Sequence, residues 1–211
     1  MEENIAIIKN WLGTGSINLF GLPLSGKDTV GIRLAEALGG KYLSSGLILR
    51  TASATDRVLA AELDRGAWAP IDTFRTVVLP YFERPDLKDY PLILGMIGRW
   101  SGEEQDVVIT AQMSGHTIKA ALLLNISEAD IFGRWEAARV LGDRGIRADD
   151  RDRKSLELRV NEFKQKTIPV IHYYQSQNLL IPINADQTKN AVYNEVVQKL
   201  ANFALENPSA E

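Results

Sequence analysis

The chain has no cysteine among its 211 residues, only 2 histidines, and no apolar run near bilayer length. Without cysteine there is no disulfide, no thiolate zinc site, no iron–sulfur cluster and no cysteine nucleophile. A reducing compartment suits such a chain. The longest apolar stretches, at 92–98 and 120–124, are strand-sized. A bilayer crossing needs about 20 apolar residues, so no membrane partner is expected. Charge of one sign is not in excess: 24 Lys+Arg stand against 27 Asp+Glu, a formal net charge of −3. That excludes the generally basic surface of a sequence-independent nucleic-acid binder. The start, Met1-Glu2-Glu3, lacks the basic flank and apolar core of a secretory leader, so a cytoplasmic protein is expected. No repeat, low-complexity block or Pro/Gly/Ser linker divides the chain. With 45% apolar and 24% charged residues, it reads as one globular domain, not a disordered polyelectrolyte.

What is present is an alternation of strand and helix signals. Ile5, Ile8 and Leu12 share one helical face, and Gly13-Thr-Gly-Ser16 ends that helix. Strands are expected at 17–20, 42–43, 91–94, 121–126 and 179–183. Helices are expected at 30–38, 46–54, 55–65, 72–82, 101–113, 128–141, 152–177 with a perturbation at Pro169, and 188–204. Ser45, Ser101 and Ser127 are candidate helix caps, Ser101 with Glu104 in the capping-box position. Alternating strands and helices imply a parallel sheet sandwiched by helices. Ligands on such sheets bind outside the carboxyl ends of the strands, which directs attention to the loops after Phe20, Leu43, Leu94 and Ile126.

The first of these loops reads Gly21-Leu-Pro-Leu-Ser-Gly26-Lys27-Asp28-Thr29. Glycines let successive N–H groups turn inward on an anion, the helix N-terminus adds its dipole, and a lysine reaches the outer phosphates. A plain glycine turn would not need the lysine, nor a strand before it and a helix after it.

At this point the chain resembles the adenylate kinase and nucleoside monophosphate kinase family, whose loop reads Gly-x-Pro-Gly-x-Gly-Lys-Gly-Thr. Gly21, Pro23, Gly26, Lys27 and Thr29 match, while Leu24 and Asp28 replace glycines. The resemblance runs from about residue 17 to 200. It implies a P-loop NTPase fold of the α/β class, with a five-stranded parallel sheet, a monophosphate-binding part at 45–82, a short lid at 134–150, and an added N-terminal helix at 1–16. It also implies a monomer that uses ATP and Mg²⁺ to phosphorylate a nucleoside monophosphate, AMP being favoured.

Residue by residue, the resemblance puts Gly21, Leu24, Ser25, Gly26, Lys27, Asp28, Thr29, Arg134 and Asp186 on the donor nucleotide. Ser45-Gly46, Arg50 and Arg99 fall on the acceptor and its phosphate. Gly66-Ala-Trp68-Ala-Pro70 resembles the turn that carries the acceptor base. Glu103 stands at the base-reading position without a gap, and Gln105 with an insertion. The segment before Arg99 departs from the family's Asp-Gly-Phe-Pro-Arg-Thr: Gly95 stands where the family has the carboxylate that holds magnesium-bound water. Asp28 is a candidate replacement, with Thr29 beside it; alternatively Asp28 only favours the helix dipole.

Seven of the chain's fourteen arginines fall between Arg134 and Arg159. Arg147-Ala-Asp149-Asp150 and Arg159 resemble the family's closing segment, and Arg134 and Arg139 its preceding pair. Without cysteine the lid is the metal-free form. Guanidinium forks match phosphoryl oxygens bidentately, so Lys27, Arg99, Arg134, Arg147 and Arg159 are expected to be catalytic. Arg151, Arg153 and Lys154 read as a salt-bridged helix face. His116 and His172 lie in no metal-like spacing. Two further readings stay open: a nucleotide-binding regulator that has lost turnover, and a P-loop kinase for another small acceptor.

Overall fold

The structure is a computed structural model, and it describes residues 1–54, 56, 59–60, 71–141 and 152–208. A helix, α1 (Glu2–Leu12), precedes the first strand, β1 (Ser16–Gly21). Then follow α2 (Lys27–Leu38), β2 (Lys41–Ser44) and α3 (Ser45–Ser53). One turn of helix, Ile71–Thr73, continues into a π turn, Phe74–Val78, and a 3-10 turn, Leu79–Glu83; this run is α4. The chain proceeds through β3 (Leu92–Gly95), α5 (Glu103–Met113), β4 (Ile118–Asn125) and α6 (Glu128–Leu141). Next, α7 (Arg153–Glu162) passes through a π turn, Phe163–Thr167, into α8 (Ile168–Ser176). The last two elements are β5 (Leu180–Asn184) and α9 (Lys189–Glu206).

Both π turns end next to a proline, Pro80 and Pro169, each at the start of the following helical turn. Proline supplies no N–H and its ring collides with the carbonyl four residues earlier. A widened turn relieves that collision. The expected perturbation at Pro169 is therefore present, and Pro80 produces a second one.

All strand pairs are parallel, in the order β2-β3-β1-β4-β5. The strands alternate their side chains between two cores. Ile17, Leu19, Ile93, Leu122 and Ile183 pack with α1, α2 and α9. Phe20, Leu92, Leu94 and Ala121 face the opposite layer, with α3, α4, α5 and α8. β1 is buried along its whole length, as the central strand of a two-sided sheet must be. The added helix α1 belongs to the first core: Ile8 and Leu12 are buried there, and the Trp11 indole N–H donates to the carbonyl of Asn207 at 2.8 Å.

The connection leaving β1 crosses to one side of the sheet and that leaving β4 to the other. The crevice between the carboxyl ends of β1 and β4 is thus the topological switch point, where ligands of open α/β sheets bind. Two expected caps are corrected. α3 is capped by Ser44, whose hydroxyl accepts from the Leu47 N–H, because Ser45 is buried and donates to the Met96 carbonyl instead. α5 begins at Glu103 with Gly102, not Ser101, at its N-cap. There Glu104 accepts from the Gly102 N–H at 2.6 Å and Glu103 from the Trp100 N–H at 3.1 Å. Ser127 caps α6 as expected, accepting from the Asp130 N–H.

Candidate active site

The loop between β1 and α2 curls so tightly that a side chain at Gly21 has no space: a Cβ there would stand 2.5 Å from the Ser25 hydroxyl. Leu24 and Gly26 both adopt left-handed backbone, with φ of 62° and 90°. For a leucine that conformation costs about 1–2 kcal/mol. The side chain of Leu24 contributes packing in return, against Ile131, Trp135 and Leu156. Strain of this kind persists only where the surroundings fix it, and it clusters at functional sites. Ser25 is buried with no hydrogen-bond partner for its hydroxyl among the described residues. Lys27 begins α2, its ammonium 3.5 Å from the Leu22 carbonyl.

A cavity of about 340 Å³ opens against this loop. Leu24, Ser25, Gly26 and Thr29 form one wall, Arg134 and Ala138 of α6 another, and Gln187, Thr188 and Lys189 a third. It lies at the switch point. Arg134 ties the walls together: its guanidinium donates to the carbonyl of Leu24 at 3.2 Å and of Ala185 at 2.6 Å. Two charge-assisted bonds to backbone carbonyls fix the arginine and the phosphate loop in one unit. Asp186 is exposed at the β5 exit, its N–H donating to Asn184 Oδ1. The sequence pointed to this exit through Asp186, but Gln187, Thr188 and Lys189 were missed; their only signal was the helix start that Thr188 caps.

A second group lies at the ends of β2 and β3. Ser45 Oγ donates to the Met96 carbonyl at 2.8 Å, and Asn18 Nδ2 donates to the Ile97 carbonyl at 2.7 Å. These bonds pin the segment that leads to Arg99, in which Met96 is left-handed at φ 55°. Arg50 is exposed on α3 and its guanidinium lies over Gly46, where a Cβ would meet Nη1 at 3.1 Å. Glu103 is buried, and desolvation pushes its carboxyl up to about 7 despite the backbone N–H donors and the nearby Arg99 charge. Its carboxylate is turned onto the Trp100 backbone, whereas Gln105 is exposed.

Asp28 does not face the cavity wall. Its Oδ1 accepts from the Tyr42 hydroxyl of β2 at 2.7 Å. A Cβ at Gly95 would stand 2.2 Å from that same hydroxyl, which explains why no side chain, acidic or otherwise, is carried there. Asp28 and Thr29 both sit in the first turn of α2 and offer hard oxygen donors. Among the described residues no three His, Asp or Glu side chains cluster as metal ligands. Hard oxygens of this kind are what Mg²⁺ takes, typically from one or two carboxylates together with substrate phosphates.

On α7, Arg159 is half-buried, and Arg153 pairs with Glu157 at 3.0 Å on an exposed face, as expected of a salt-bridged helix. Arg139 is exposed and lies over the Trp135 ring at 4.7 Å. Trp68 with its turn, and Arg147 with Asp149 and Asp150, lie outside the described residues. No described helix is long and apolar enough to cross a membrane.

A glycine-rich loop joining the central parallel strand to a helix, with a cavity at the switch point, defines a P-loop fold of the α/β class. No family model matches the chain. Curated proteins do: it is 27% identical to the adenylate kinase of Parvibaculum lavamentivorans over 84% of this chain and 88% of that one. The adenylate kinase of Methanosarcina mazei is 24% identical over 90% and 100%, and that of Rhodopirellula baltica 26% identical over 92% and 98%. Over most of its length the chain is thus similar to adenylate kinases.

Proposed function

We propose that the chain transfers the γ-phosphoryl group of ATP to a nucleoside monophosphate, AMP being the favoured acceptor, as a monomeric cytoplasmic enzyme. The observation that carries this reading is the cavity at the switch point, walled by the phosphate loop and spanned by Arg134. Its position and basic lining suit a nucleoside triphosphate.

Phosphoryl transfer asks a protein for positioning and charge stabilisation more than for covalent chemistry. In this reading the loop amides and Lys27 hold the donor phosphates. Ser45, Gly46, Arg50 and Arg99 take the acceptor phosphate from the ends of β2 and β3. Trp68 and Glu103 belong to the acceptor base side, and Asp186 to the donor nucleoside. Arg134, Arg147 and Arg159 offset the charge of the transferring group, and lid closure keeps water out. Asp28 and Thr29 would hold Mg²⁺, which when bound neutralises phosphate charge and orients the outer phosphates.

Lys27→Met and Arg99→Ala test these roles. Both variants are expected to fold, by circular dichroism, and to lose turnover by at least about a hundredfold, as loss of a transition-state charge contact does. Wild-type-like turnover in either folded variant overturns its role. The departures at Leu24 and Gly95 favour one other reading, a regulator that binds ATP without transfer; it would bind ATP and give no product with any monophosphate.

A further inference from the structure

Residues 96–102 carry the chain from the end of β3 to the start of α5, with Arg99 in their middle. The segment has no proline, and two of its residues, Gly98 and Gly102, are left-handed glycines with φ of 69° and 101°. Such a stretch has wide conformational freedom of its own. Its neighbours fix it, nearly one peptide at a time. Ser45 Oγ donates to the Met96 carbonyl and Asn18 Nδ2 to the Ile97 carbonyl. A Cβ on Gly98 would stand 2.6 Å from Val107 Cγ2, so the turn lies directly on α5. The Ser101 N–H donates to the Lys166 carbonyl at 3.2 Å, and the Gly102 N–H to Glu104.

Glu103 closes the segment. Its backbone N–H donates to the Trp100 carbonyl at 2.8 Å, and the Trp100 N–H donates back to Glu103 Oε2 at 3.1 Å. Two such reciprocal bonds are the arrangement of a capping box. The Trp100 N–H lies in the same rigid peptide plane as the Arg99 carbonyl. The Glu103 side chain therefore sets the tilt of the peptide that leaves Arg99, as Asn18 sets that of the peptide after Ile97. Arg99 stands between two anchored planes.

A glutamate that reads a base must present its carboxyl to that base. Glu103 is only 4% exposed and its Oε2 is turned onto the Trp100 backbone. Its oxygens can accept from a backbone N–H whether the group is ionised or protonated, so the anchor survives protonation. Burial, which pushes the carboxyl up to about 7, reduces negative charge beside an arginine expected to meet an anion.

We infer that Glu103 is a positioning residue for Arg99, anchoring the peptide that leaves the arginine and not reading the acceptor base. This gives Glu103 a place on the acceptor side without contact with the base. The inference rests on the proposed acceptor site, and it is tested by affinities measured without turnover, so that the two can fail separately.

The test uses the full chain, with monophosphate and metal-free ATP affinities read by calorimetry. Glu103→Met keeps the length of the side chain and removes its oxygens. Affinities for AMP, CMP and GMP should all fall by the same factor, about three- to tenfold, the loss of one hydrogen bond. The factor is shared because the arginine serves the phosphate that all three carry. ATP affinity should stay as in wild type, which also shows that the variant folds. Glu103→Gln restores an accepting oxygen and should recover most of the loss. In an Arg99→Ala background, where Arg50 still supports weaker monophosphate binding, Glu103→Met should add no further loss.

Losses that differ between the bases overturn the inference, since Glu103 would then be reading them. It is overturned equally by an unchanged affinity in Glu103→Met, by a Glu103→Gln no better than Glu103→Met, and by a loss that persists in full without Arg99. An ATP affinity that falls as far as the others overturns it too, because the damage would then be general. A wild type that binds no monophosphate overturns the functional reading, and the inference with it. Monophosphate binding without product overturns the functional reading alone, and the pattern of affinities then upholds or overturns the inference.

Discussion

Gly95→Ala probes the packing around Tyr42 with a single methyl group. The new Cβ would stand 2.2 Å from Tyr42 Oη, 2.9 Å from its Cζ and 3.0 Å from Ser44 Cβ. The ring cannot retreat towards α2, because Gly31 already meets it there. It must rotate out and give up the bond to Asp28, or the sheet must open between β2 and β3. Overpacking of this kind costs about 1–3 kcal/mol, and a hydrogen bond to a charged group contributes about 1.5–3 kcal/mol, less where water reaches it. A loss of about 2–4 kcal/mol follows, and for a chain of this size each kcal/mol moves the unfolding midpoint by about 2–4 °C. Thermal unfolding followed by circular dichroism should therefore show a drop of about 4–16 °C. Repeating the substitution in Tyr42→Phe removes the closest contact, and the penalty should shrink by about 1 kcal/mol or more. An equal penalty in both backgrounds, or none in either, would refute the steric argument.

Other consequences follow from the same geometry. Arg134→Ala removes both bonds from α6 to the Leu24 and Ala185 carbonyls; metal-free ATP affinity should fall about ten- to a hundredfold by calorimetry, and unchanged affinity would show that the bridge is incidental. Glu103→Gln should stabilise the protein at pH 8 and not at pH 4. The buried carboxyl is raised to about 7 from an ordinary 4.5, so the folded state holds a proton that the unfolded chain has released between those values, and stability falls as pH rises through that window. The difference between variant and wild type in urea unfolding should grow by about 1–3 kcal/mol from pH 4 to pH 8; a difference independent of pH would contradict the burial argument.

Much of this was legible in the sequence because its signals are local. The phosphate loop announces itself by glycines and a lysine at fixed spacing, and all five strands follow from short apolar runs. Long-range contacts were not legible. Ser45 reads as a cap by its place, yet it turns inward because the Met96 carbonyl, 51 residues away, needs a donor. Ser44 takes the cap. Glu104 was read with Ser101 as a capping box; the helix instead starts after Gly102, where two successive glutamates accept the backbone N–H groups a serine would have served. The cavity beside this loop was half visible: Leu24 to Thr29 and Arg134 by pattern, but not Gln187 to Lys189, which carry no motif and meet the loop only through the fold. Gly95 looked like a lost carboxylate. In space it is the room that Tyr42 requires to reach Asp28, a relation among three elements that no single segment encodes.

The central claim is phosphoryl transfer to a nucleoside monophosphate, and one assay addresses it directly. Purified chain is supplied with ATP and Mg²⁺ and with AMP, CMP, UMP, GMP or dTMP in turn, and diphosphate products are resolved by chromatography. Product with at least one monophosphate, AMP foremost, and none with Lys27→Met, is the predicted result. ATP binding without diphosphate product from any of the five would contradict it.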